Sequence, residues 1–288
     1  MIKKAYFEIT NVCNMHCSFC PGTKRSKGFV SLEDFTTVAE KLSGKIPYLY
    51  LHLMGEPTIH PKLCDILQIA KKNGFKVIIT TNGTTLKEKG DVLLDSDAIH
   101  KVSISLHSFE ANEGAKYMDE YLSTCFEFCR RAAKKGIISV MRLWNLDGDD
   151  TIGENLNNPY ILTQMRQYFN EEWVTTRSGM RISDKVFLEY GEKFEWPDPD
   201  KIDDVSDSDN ARYFCHGLRD QIGILYNGDV VPCCLDGEGT IILGNILEST
   251  LEEILNSEKA KSFYNSFTAC KAPHPLCKTC GYAKRFTK

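Results

Sequence analysis

The sequence predicts an α/β fold in which an open barrel precedes a small cysteine-rich segment made of a β-hairpin and a helix. Short apolar runs alternate with longer amphipathic runs over the first two-thirds of the chain, which indicates parallel strands with helical crossovers. Six such units are too few to close an eight-stranded barrel. The acidic stretch 197–210 then interrupts the periodicity. We therefore expect a partial (β/α)6 TIM-like barrel.

Six runs rich in apolar and β-branched residues predict the strands. They are Ala5–Thr10, Tyr48–Leu53, Lys76–Thr81, Val102–Leu106, Ile137–Leu143 and Val186–Tyr190. Amphipathic runs between them, several bounded by cap signals, predict the helices. They are Ser31–Leu42, Pro61–Lys72, Leu86–Leu94, Tyr117–Lys135 and Pro159–Phe169. In such folds the functional loops follow the C-terminal ends of the strands.

The acidic stretch Pro197–Asn210 predicts a linker between residues 1–200 and 201–288, and a surface loop within one domain is the alternative. After it, Ile222–Tyr226 and Val230-Val231 flank Asn227-Gly228, which predicts a hairpin with a type I′ turn. The run Thr250–Tyr264 predicts one amphipathic helix.

Composition excludes several classes of protein. The chain has 288 residues, 35 basic and 39 acidic, with a net charge of −4, which does not predict nucleic-acid binding. It has no apolar run of about 18 residues, so a membrane span is not predicted. The charged start is unlike a secretory signal, which predicts a cytoplasmic protein with reduced thiols. Twelve cysteines, strongly grouped, then indicate metal binding.

Cys13, Cys17 and Cys20 form the first group, in the loop after the first predicted strand. Three thiolates on a short loop can hold three irons of a [4Fe–4S] cluster. The fourth iron then keeps an open position, at which a metal site can bind and activate a small molecule. A zinc site or a chance grouping is the alternative for the three cysteines alone.

The spacing Cys-x3-Cys-x2-Cys, with the aromatic Phe19 before the last cysteine, resembles the radical S-adenosylmethionine (SAM) superfamily. The resemblance implies that Phe19 lies beside the SAM adenine. It also implies SAM contacts at the ends of later strands, by Gly55, Glu56, Asn82, Ser105 and Arg142. Met54 stands where relatives have a first glycine, and His107 where aspartate is frequent. For Arg142, whose guanidinium suits a carboxylate, a structural ion pair is the alternative.

The resemblance implies the chemistry. A cluster electron cleaves SAM reductively to methionine and a 5′-deoxyadenosyl radical, which abstracts a hydrogen atom from the substrate. The protein positions the cofactors and excludes quenching. A reductase, flavodoxin or ferredoxin is expected to supply the electron.

Cysteines in the C-terminal segment form the second group. Two pairs, Cys215 with Cys233 and Cys277 with Cys280, fit a Cys₄ site for zinc or an iron–sulfur cluster. The segment resembles the short form of the SPASM domain, called twitch, which implies an auxiliary [4Fe–4S] cluster held by these four. Cys234 and Cys270 are alternative ligands. Cys64, Cys125 and Cys129, on predicted helices, are expected to be packing residues.

Four protein ligands would leave no auxiliary iron for substrate, which favours electron transfer. We expect an oxidoreductase that oxidises a small-molecule substrate radical through the auxiliary cluster, as in a twitch-bearing dehydrogenase of an aminocyclitol alcohol. The alternative is a peptide maturase forming crosslinks or epimers. Such enzymes commonly carry an extra N-terminal domain, and here the first strand is predicted close to residue 1. A non-enzymatic iron–sulfur or zinc protein is a third, remote alternative.

Oxidation of an alcohol also needs a base. The candidate bases, which lie near predicted strand ends, are His52, His107, Glu189 and Tyr190.

Overall fold

A computed structural model describes residues 2–112, 117–146, 156–192, 194–203 and 212–286. Their strands are β1 (Lys4–Phe7), β2 (Tyr48–Tyr50), β3 (Lys76–Thr81), β4 (Ile99–Ser105), β5 (Ile138–Leu146), β6 (Val174–Thr176), β7 (Gly179–Ser183), β8 (Val186–Glu192), β9 (Gln221–Ile224), β10 (Asp229–Val231) and β11 (Gly244–Asn245). Their α-helices are α1 (Leu32–Leu42), α2 (Leu63–Lys72), α3 (Leu86–Leu94), α4 (His107–Glu110), α5 (Met118–Lys134), α6 (Asn158–Tyr168), α7 (Leu251–Asn256), α8 (Glu258–Thr268), α9 (Pro275–Thr279) and α10 (Gly281–Lys284).

The sheet confirms the predicted partial barrel. Its order is β11-β10-β9-β1-β2-β3-β4-β5-β8-β7-β6, and the six predicted strands, from β1 to β8 in this order, all pair in parallel. Strands β6 and β11 stand at opposite edges, so the sheet is open. The carboxyl ends of the parallel strands therefore meet along one rim, where the loops after β1, β3 and β4 carry the predicted site residues.

Helices and sheet share one hydrophobic core. Ser31 caps α1, whose Phe35 and Leu42 are fully buried against the sheet. Cys125 and Cys129 on α5 are also fully buried, as expected for packing residues. The same expectation is wrong for Cys64, which is exposed. It is the second residue of α2, on the face away from the core, while Leu63 and Ile66 take the buried positions.

The C-terminal segment extends the sheet of the barrel. Strand β9 pairs in parallel with β1, and β10 folds back against β9. The hairpin is confirmed, but its type I′ turn is wrong, because only Gly228 of the central pair has a positive φ. The connection between β9 and β10 is instead a longer loop, in which the Gly228 N–H donates to the Leu225 C=O. The predicted division between residues 200 and 201 stays a prediction, and residues 204–210 of the linker lie outside the described ranges.

Two details of the chain differ from the predictions. The single helix expected over Thr250–Tyr264 is divided at Ser257, which ends α7 and caps α8 through its side chain. The antiparallel pair β6 and β7 was not predicted, although the Ser178-Gly179 dipeptide and the alternation Met180-Arg181-Ile182-Ser183 after it are hairpin signals. None of the described helices has the length and apolar character that crossing a bilayer requires.

Candidate functional site

The loop after β1 presents Cys13, Cys17 and Cys20 at the rim of the sheet. Cys13 and Cys20 are exposed and Cys17 is half-buried. A tight turn joins two of them, because the Cys20 N–H donates to the Cys17 C=O at 3.0 Å. The side chain of Asn112, which follows α4, donates to the Cys17 sulfur at 3.2 Å. The loop is therefore fixed to the end of β4 as well as to its own strand.

The three thiols form one electrostatic group. Partial desolvation of the sulfur atoms is the largest cause that raises the pKa of each thiol. Repulsion adds to it, from Cys17 on Cys13, from Cys20 on Cys17 and from Cys13 on Cys20. A metal bound by these sulfurs would offset both effects, because coordination deprotonates a thiol outright. Soft sulfur donors of this kind suit an iron–sulfur cluster.

Gly55 and Glu56 hold the start of this cysteine loop. The Glu56 N–H donates to the Val12 C=O at 2.8 Å. Gly55 has φ +75°, and a Cβ built on it would lie 2.5 Å from the Thr10 carbonyl oxygen and 2.7 Å from that of Val12. Only glycine allows this approach of the two backbones. The motif predicted to contact SAM is thus also a structural support for the cysteines.

The Glu56 carboxylate ties two strand ends together. It is buried and accepts hydrogen bonds from the Asn82 N–H at 2.7 Å and from the Thr58 hydroxyl at 2.5 Å. The Asn82 side chain in turn donates to Asn14 at 2.9 Å and lies 4.0 Å from the Cys13 sulfur. Burial raises the pKa of Glu56, and these hydrogen bonds oppose the shift. Glu56 and Asn82 thereby form one network with the loop.

A cavity of about 1120 Å³ extends from the first cysteine loop to the C-terminal group of cysteines. Ser18 and Phe19 of the first cysteine loop line it at one side, and Cys215, Cys233 and Cys280 at the other. Of the residues predicted to contact SAM, Phe19, Ser105 and Arg142 line the cavity. Gly55, Glu56 and Asn82 are not among the described lining residues and stand beside the cysteine loop instead. The same cavity therefore reaches the C-terminal thiols and the first cysteine loop, although Cys13, Cys17 and Cys20 are not among its described lining residues.

Of the four candidate bases, His52 and His107 are described lining residues of the cavity, and Glu189 and Tyr190 are not. The His52 Nδ1 accepts from the Thr80 N–H at 3.3 Å. Burial, with the Arg142 charge, lowers the pKa of His52 to about 3, so this ring is neutral and holds its proton on Nε2. The His107 Nδ1 lies 3.1 Å from the Arg142 C=O, closer than the 3.4 Å to the Trp144 N–H. The shorter contact favours a proton on Nδ1 of His107, which leaves Nε2 as the acceptor.

The four predicted C-terminal ligands converge on the cavity wall. Cys215 and Cys280 are buried, and Cys233 and Cys277 are half-buried. Desolvation, the largest cause, raises the pKa of Cys233 and Cys277 well above the usual range. Repulsion from the Cys215 thiolate raises both pKa values further, and all four cysteines line the same cavity. Four thiols from three separate segments thus meet, as a Cys₄ cluster requires.

The two alternative ligands have different positions. Cys234 lines the cavity and interacts electrostatically with Cys215 and Cys280, and it packs with Tyr6 against one small apolar cluster. Cys270 is not among the described lining residues, and its sulfur accepts from the Arg212 guanidinium at 3.7 Å. The structure therefore brings five thiols together, with Cys234 the fifth, and places Cys270 apart.

A buried ion pair links the two cysteine segments. Arg25, which follows the first loop, donates to both carboxylate oxygens of Glu8 at 2.8 and 2.7 Å. Its Nε donates to the Gly237 C=O at 2.8 Å, in the loop that follows Cys233 and Cys234. Glu8 is fully buried and also accepts from the Tyr226 N–H at 3.4 Å. Both bonds to Glu8 come from Nη2 of Arg25, and together with the bond from Nε they tie the first cysteine loop to the loop after Cys234.

The arrangement of the thiols can be compared with the ligand geometry of zinc, the alternative metal. Within the described ranges, no three His, Cys, Asp or Glu side chains converge tightly enough to hold a single ion. Zinc draws its four ligands to about 2.0–2.3 Å from one centre, whereas a [4Fe–4S] cluster distributes its cysteines over separate irons.

One polar side of the cavity was not predicted from the sequence. It is formed by Tyr6, Tyr50 and Thr80, and we call it the floor of the cavity. These side chains alternate with buried apolar residues along β1, β2 and β3. The signal was the alternation Tyr48-Leu49-Tyr50-Leu51-His52, which marks one apolar and one polar face. Trp144 and Trp196 also line the cavity, while Trp173 is buried.

Two family descriptions match the chain. Residues 7–151 match the family described as the radical SAM superfamily, and residues 215–281 match the SPASM iron–sulfur cluster-binding domain. The first range contains the loop with Cys13, Cys17 and Cys20. The second contains all four predicted C-terminal ligands.

Curated relatives match part of the chain. It is 34% identical over 93 residues to the tungsten-containing aldehyde ferredoxin oxidoreductase cofactor-modifying protein of Pyrococcus furiosus, over 31% of this chain and 26% of the relative. It is 33% identical over 92 residues to the antilisterial bacteriocin subtilosin biosynthesis protein AlbA of Bacillus subtilis, over 31% of this chain and 20% of the relative. The chain thus spans about a quarter or less of the length of these relatives.

A solved structure shares the fold over most of the chain. It is the crystal structure of BtrN in complex with AdoMet and 2-DOIA, with a TM-score of 0.51 and 18% sequence identity. The match covers 97% of this chain and 93% of that one. At this level of identity the likeness concerns the fold.

Proposed function

Because this chain belongs to the radical SAM superfamily and carries a SPASM domain, we propose that it oxidises a small-molecule substrate by two electrons. It is a radical SAM enzyme whose cofactors are SAM and iron–sulfur clusters. When bound, these cofactors supply a 5′-deoxyadenosyl radical that removes a hydrogen atom from the substrate and an auxiliary cluster that accepts one electron. The cofactor-modifying relative of Pyrococcus furiosus supports a small-molecule substrate.

The observation that carries the proposal is the single cavity between the two groups of cysteines. Phe19 on one side and Cys215 on the other line the same space, so a substrate held there lies between both metal sites. On the first side Cys13, Cys17 and Cys20 would hold a cluster. On the second Cys215, Cys233, Cys277 and Cys280 would hold another with all its irons ligated by protein, which suits electron transfer.

Oxidation of an alcohol to a carbonyl releases a proton, and His107 is the proposed acceptor. It lines the cavity, and its Nδ1 contact with the Arg142 C=O places the lone pair on Nε2. His52 is unsuited because its Nδ1 already accepts from the Thr80 N–H. Glu189 faces Lys101 and Arg142 and is not among the described lining residues. Phe19, Trp144 and Trp196 provide apolar walls that limit water at the reacting atom.

The second candidate function is peptide modification. The relative AlbA is by its name a bacteriocin biosynthesis protein, which supports a peptide substrate for this chain. The two candidates differ in their products. A dehydrogenase gives a small product two hydrogens lighter, whereas a maturase changes a peptide supplied to it. A reductase, flavodoxin or ferredoxin is the proposed electron donor for either.

The test is iron content and SAM cleavage in matched variants. Anaerobically reconstituted enzyme is expected to hold about eight irons per chain. Cys280→Ala is expected to hold about four and to keep forming 5′-deoxyadenosine without oxidised product. Four irons in the unmodified enzyme would contradict the auxiliary cluster, and loss of 5′-deoxyadenosine only in Cys280→Ala would contradict its separate role.

A further inference from the structure

Two cations share one carboxylate on the concave face of the sheet. The Lys101 Nζ lies 3.8 Å from one oxygen of Glu189, and the Arg142 Nε lies 3.6 Å from the other. Both distances exceed that of a hydrogen bond, and Arg142 Nε is a buried atom without a hydrogen-bond partner in the described structure. The three groups together carry a net positive charge. The single negative charge of Glu189 therefore neutralises only part of the positive charge of Lys101 and Arg142.

Arg142 is the member of this trio that reaches the cavity. It lines the cavity, and Lys101 and Glu189 are not among the described lining residues. Its Nη1 donates to the Thr80 hydroxyl at 3.3 Å, and its guanidinium lies 4.4 Å from the centre of the Trp144 ring. These contacts hold the guanidinium in one orientation without supplying a negative charge.

Hydroxyl groups and a neutral ring surround this guanidinium. The rings of Tyr6 and Tyr50 stack at 4.4 Å, and both line the cavity. His52 lies against both rings, with centroid distances of 5.6 Å to Tyr6 and 5.8 Å to Tyr50, and all three side chains line the cavity with Arg142. His52 stays neutral beside it and adds no competing charge. The floor of the cavity thus offers one cation and several hydrogen-bond donors.

The acidic residues that line the cavity have other partners or lie at its exposed edge. Asp236 accepts from the Thr240 and Ile241 N–H groups at 2.9 and 2.8 Å. Glu195 pairs with Lys284 at 3.4 Å and is exposed, as is Glu192. Among the described lining residues, Arg142 is therefore a half-buried charge that lacks a full counter-charge.

The position of Arg142 favours substrate over SAM. Tyr6, which lines the cavity with it, packs against the same small apolar cluster as Cys234, in the C-terminal group of cysteines. Glu56 and Asn82, by contrast, contact the first cysteine loop. A substrate held between the two metal sites would contact the guanidinium at the end of the cavity that is lined by the C-terminal cysteines.

We propose that Arg142, with the hydroxyls of Tyr6 and Tyr50, binds an oxyanion of the substrate, a carboxylate or a phosphate. This rests on the proposed function, and it replaces the expectation that Arg142 pairs with the SAM carboxylate. A guanidinium binds either oxyanion through two parallel hydrogen bonds. The substrate is thus an acid or a phosphate ester whose anionic group is anchored on the floor, with its reacting carbon toward Phe19.

The test measures anion binding to SAM-loaded holoenzyme, with inorganic phosphate followed by ³¹P NMR and ¹³C-acetate by ¹³C NMR. Glu189→Gln removes the shared negative charge and is expected to tighten binding of the preferred anion by about tenfold. Arg142→Gln is expected to weaken it by at least about tenfold. Arg181→Gln, an exposed arginine on β7, is the matched control and is expected to change neither. Whichever anion binds more tightly identifies the substrate group.

Three results would overturn the proposal: no binding of either anion to the unmodified enzyme, no tightening in Glu189→Gln, or weaker SAM binding in Arg142→Gln with anion affinity unchanged. The last would assign Arg142 to SAM. Glu189→Gln keeps the test decisive if Arg142→Gln fails to fold. The proposed function is tested by different measurements. An iron content of about four, or absence of 5′-deoxyadenosine, in the unmodified enzyme would contradict it.

Discussion

Replacing Gly55 by alanine tests how the cysteine loop is held. Gly55 has φ +75°, and an added Cβ would meet the carbonyl oxygens of Thr10 and Val12 at 2.5 and 2.7 Å. Both atoms belong to the backbone that leads into Cys13, so neither can move aside as a flexible side chain would. The left-handed conformation costs a residue with a Cβ about 1–2 kcal/mol, and overpacking about 1–3 kcal/mol more. The expected loss of unfolding free energy is therefore about 2–5 kcal/mol.

Gly44 provides the matched control. It has φ +73°, and a Cβ added to it would meet no heavy atom within 4 Å. Gly44→Ala therefore bears the conformational cost alone, about 1–2 kcal/mol. The difference between the two variants isolates the steric clash, which we expect at about 1–3 kcal/mol.

The assay is anaerobic urea unfolding of both variants and of the unmodified protein. Their unfolding free energies are compared provided that the dependence on urea concentration is the same in all three. Iron content is measured in parallel. Gly55→Ala is expected to lose the iron held by the first loop, leaving about four irons, and Gly44→Ala to keep about eight. Equal stability of the two variants, or full iron content in Gly55→Ala, would refute the argument that Gly55 supports the cysteine loop.

Three further predictions follow from the site. Cys17→Ala is expected to abolish formation of 5′-deoxyadenosine, and survival of SAM cleavage would contradict the role of the first loop. Cys270→Ser is expected to keep about eight irons, because its sulfur lies against Arg212, and a loss to about four would make it a ligand. His52 has a folded-state pKa of about 3, below its usual 6.5, so the unfolded chain binds the extra proton and stability falls as pH drops from 6.5 toward 3. His52→Asn is expected to reduce this slope by up to about 1.4 kcal/mol per pH unit in urea unfolding, and an unchanged slope would contradict it.

The parallel core of the fold could be predicted from local sequence. The strand Lys76–Thr81 and the helix Leu86–Leu94 lie where the pattern placed them, because each carries its own periodicity and end signals. The break at Ser257 was missed, because Ser257 caps α8 within an otherwise continuous apolar pattern. The join of β9 to β1 could not be predicted, since it depends on pairing between strands more than two hundred residues apart.

The candidate site was predictable where residues act in a fixed local spacing. The first cysteine loop is such a case, and so is the pair Cys277 and Cys280. The meeting of Cys215 with these two required the fold of the whole C-terminal segment. The floor around Arg142 required it too, because Tyr6, Thr80 and Glu189 come from three strands distant in sequence.

The central claim is that one enzyme holds two clusters on either side of a shared cavity. Iron content with product analysis in Cys280→Ala tests it most directly. The account predicts about eight irons in the unmodified enzyme, about four in the variant, and 5′-deoxyadenosine formed by both. About four irons in both proteins would contradict it, because the thiols of the C-terminal segment would then hold no cluster.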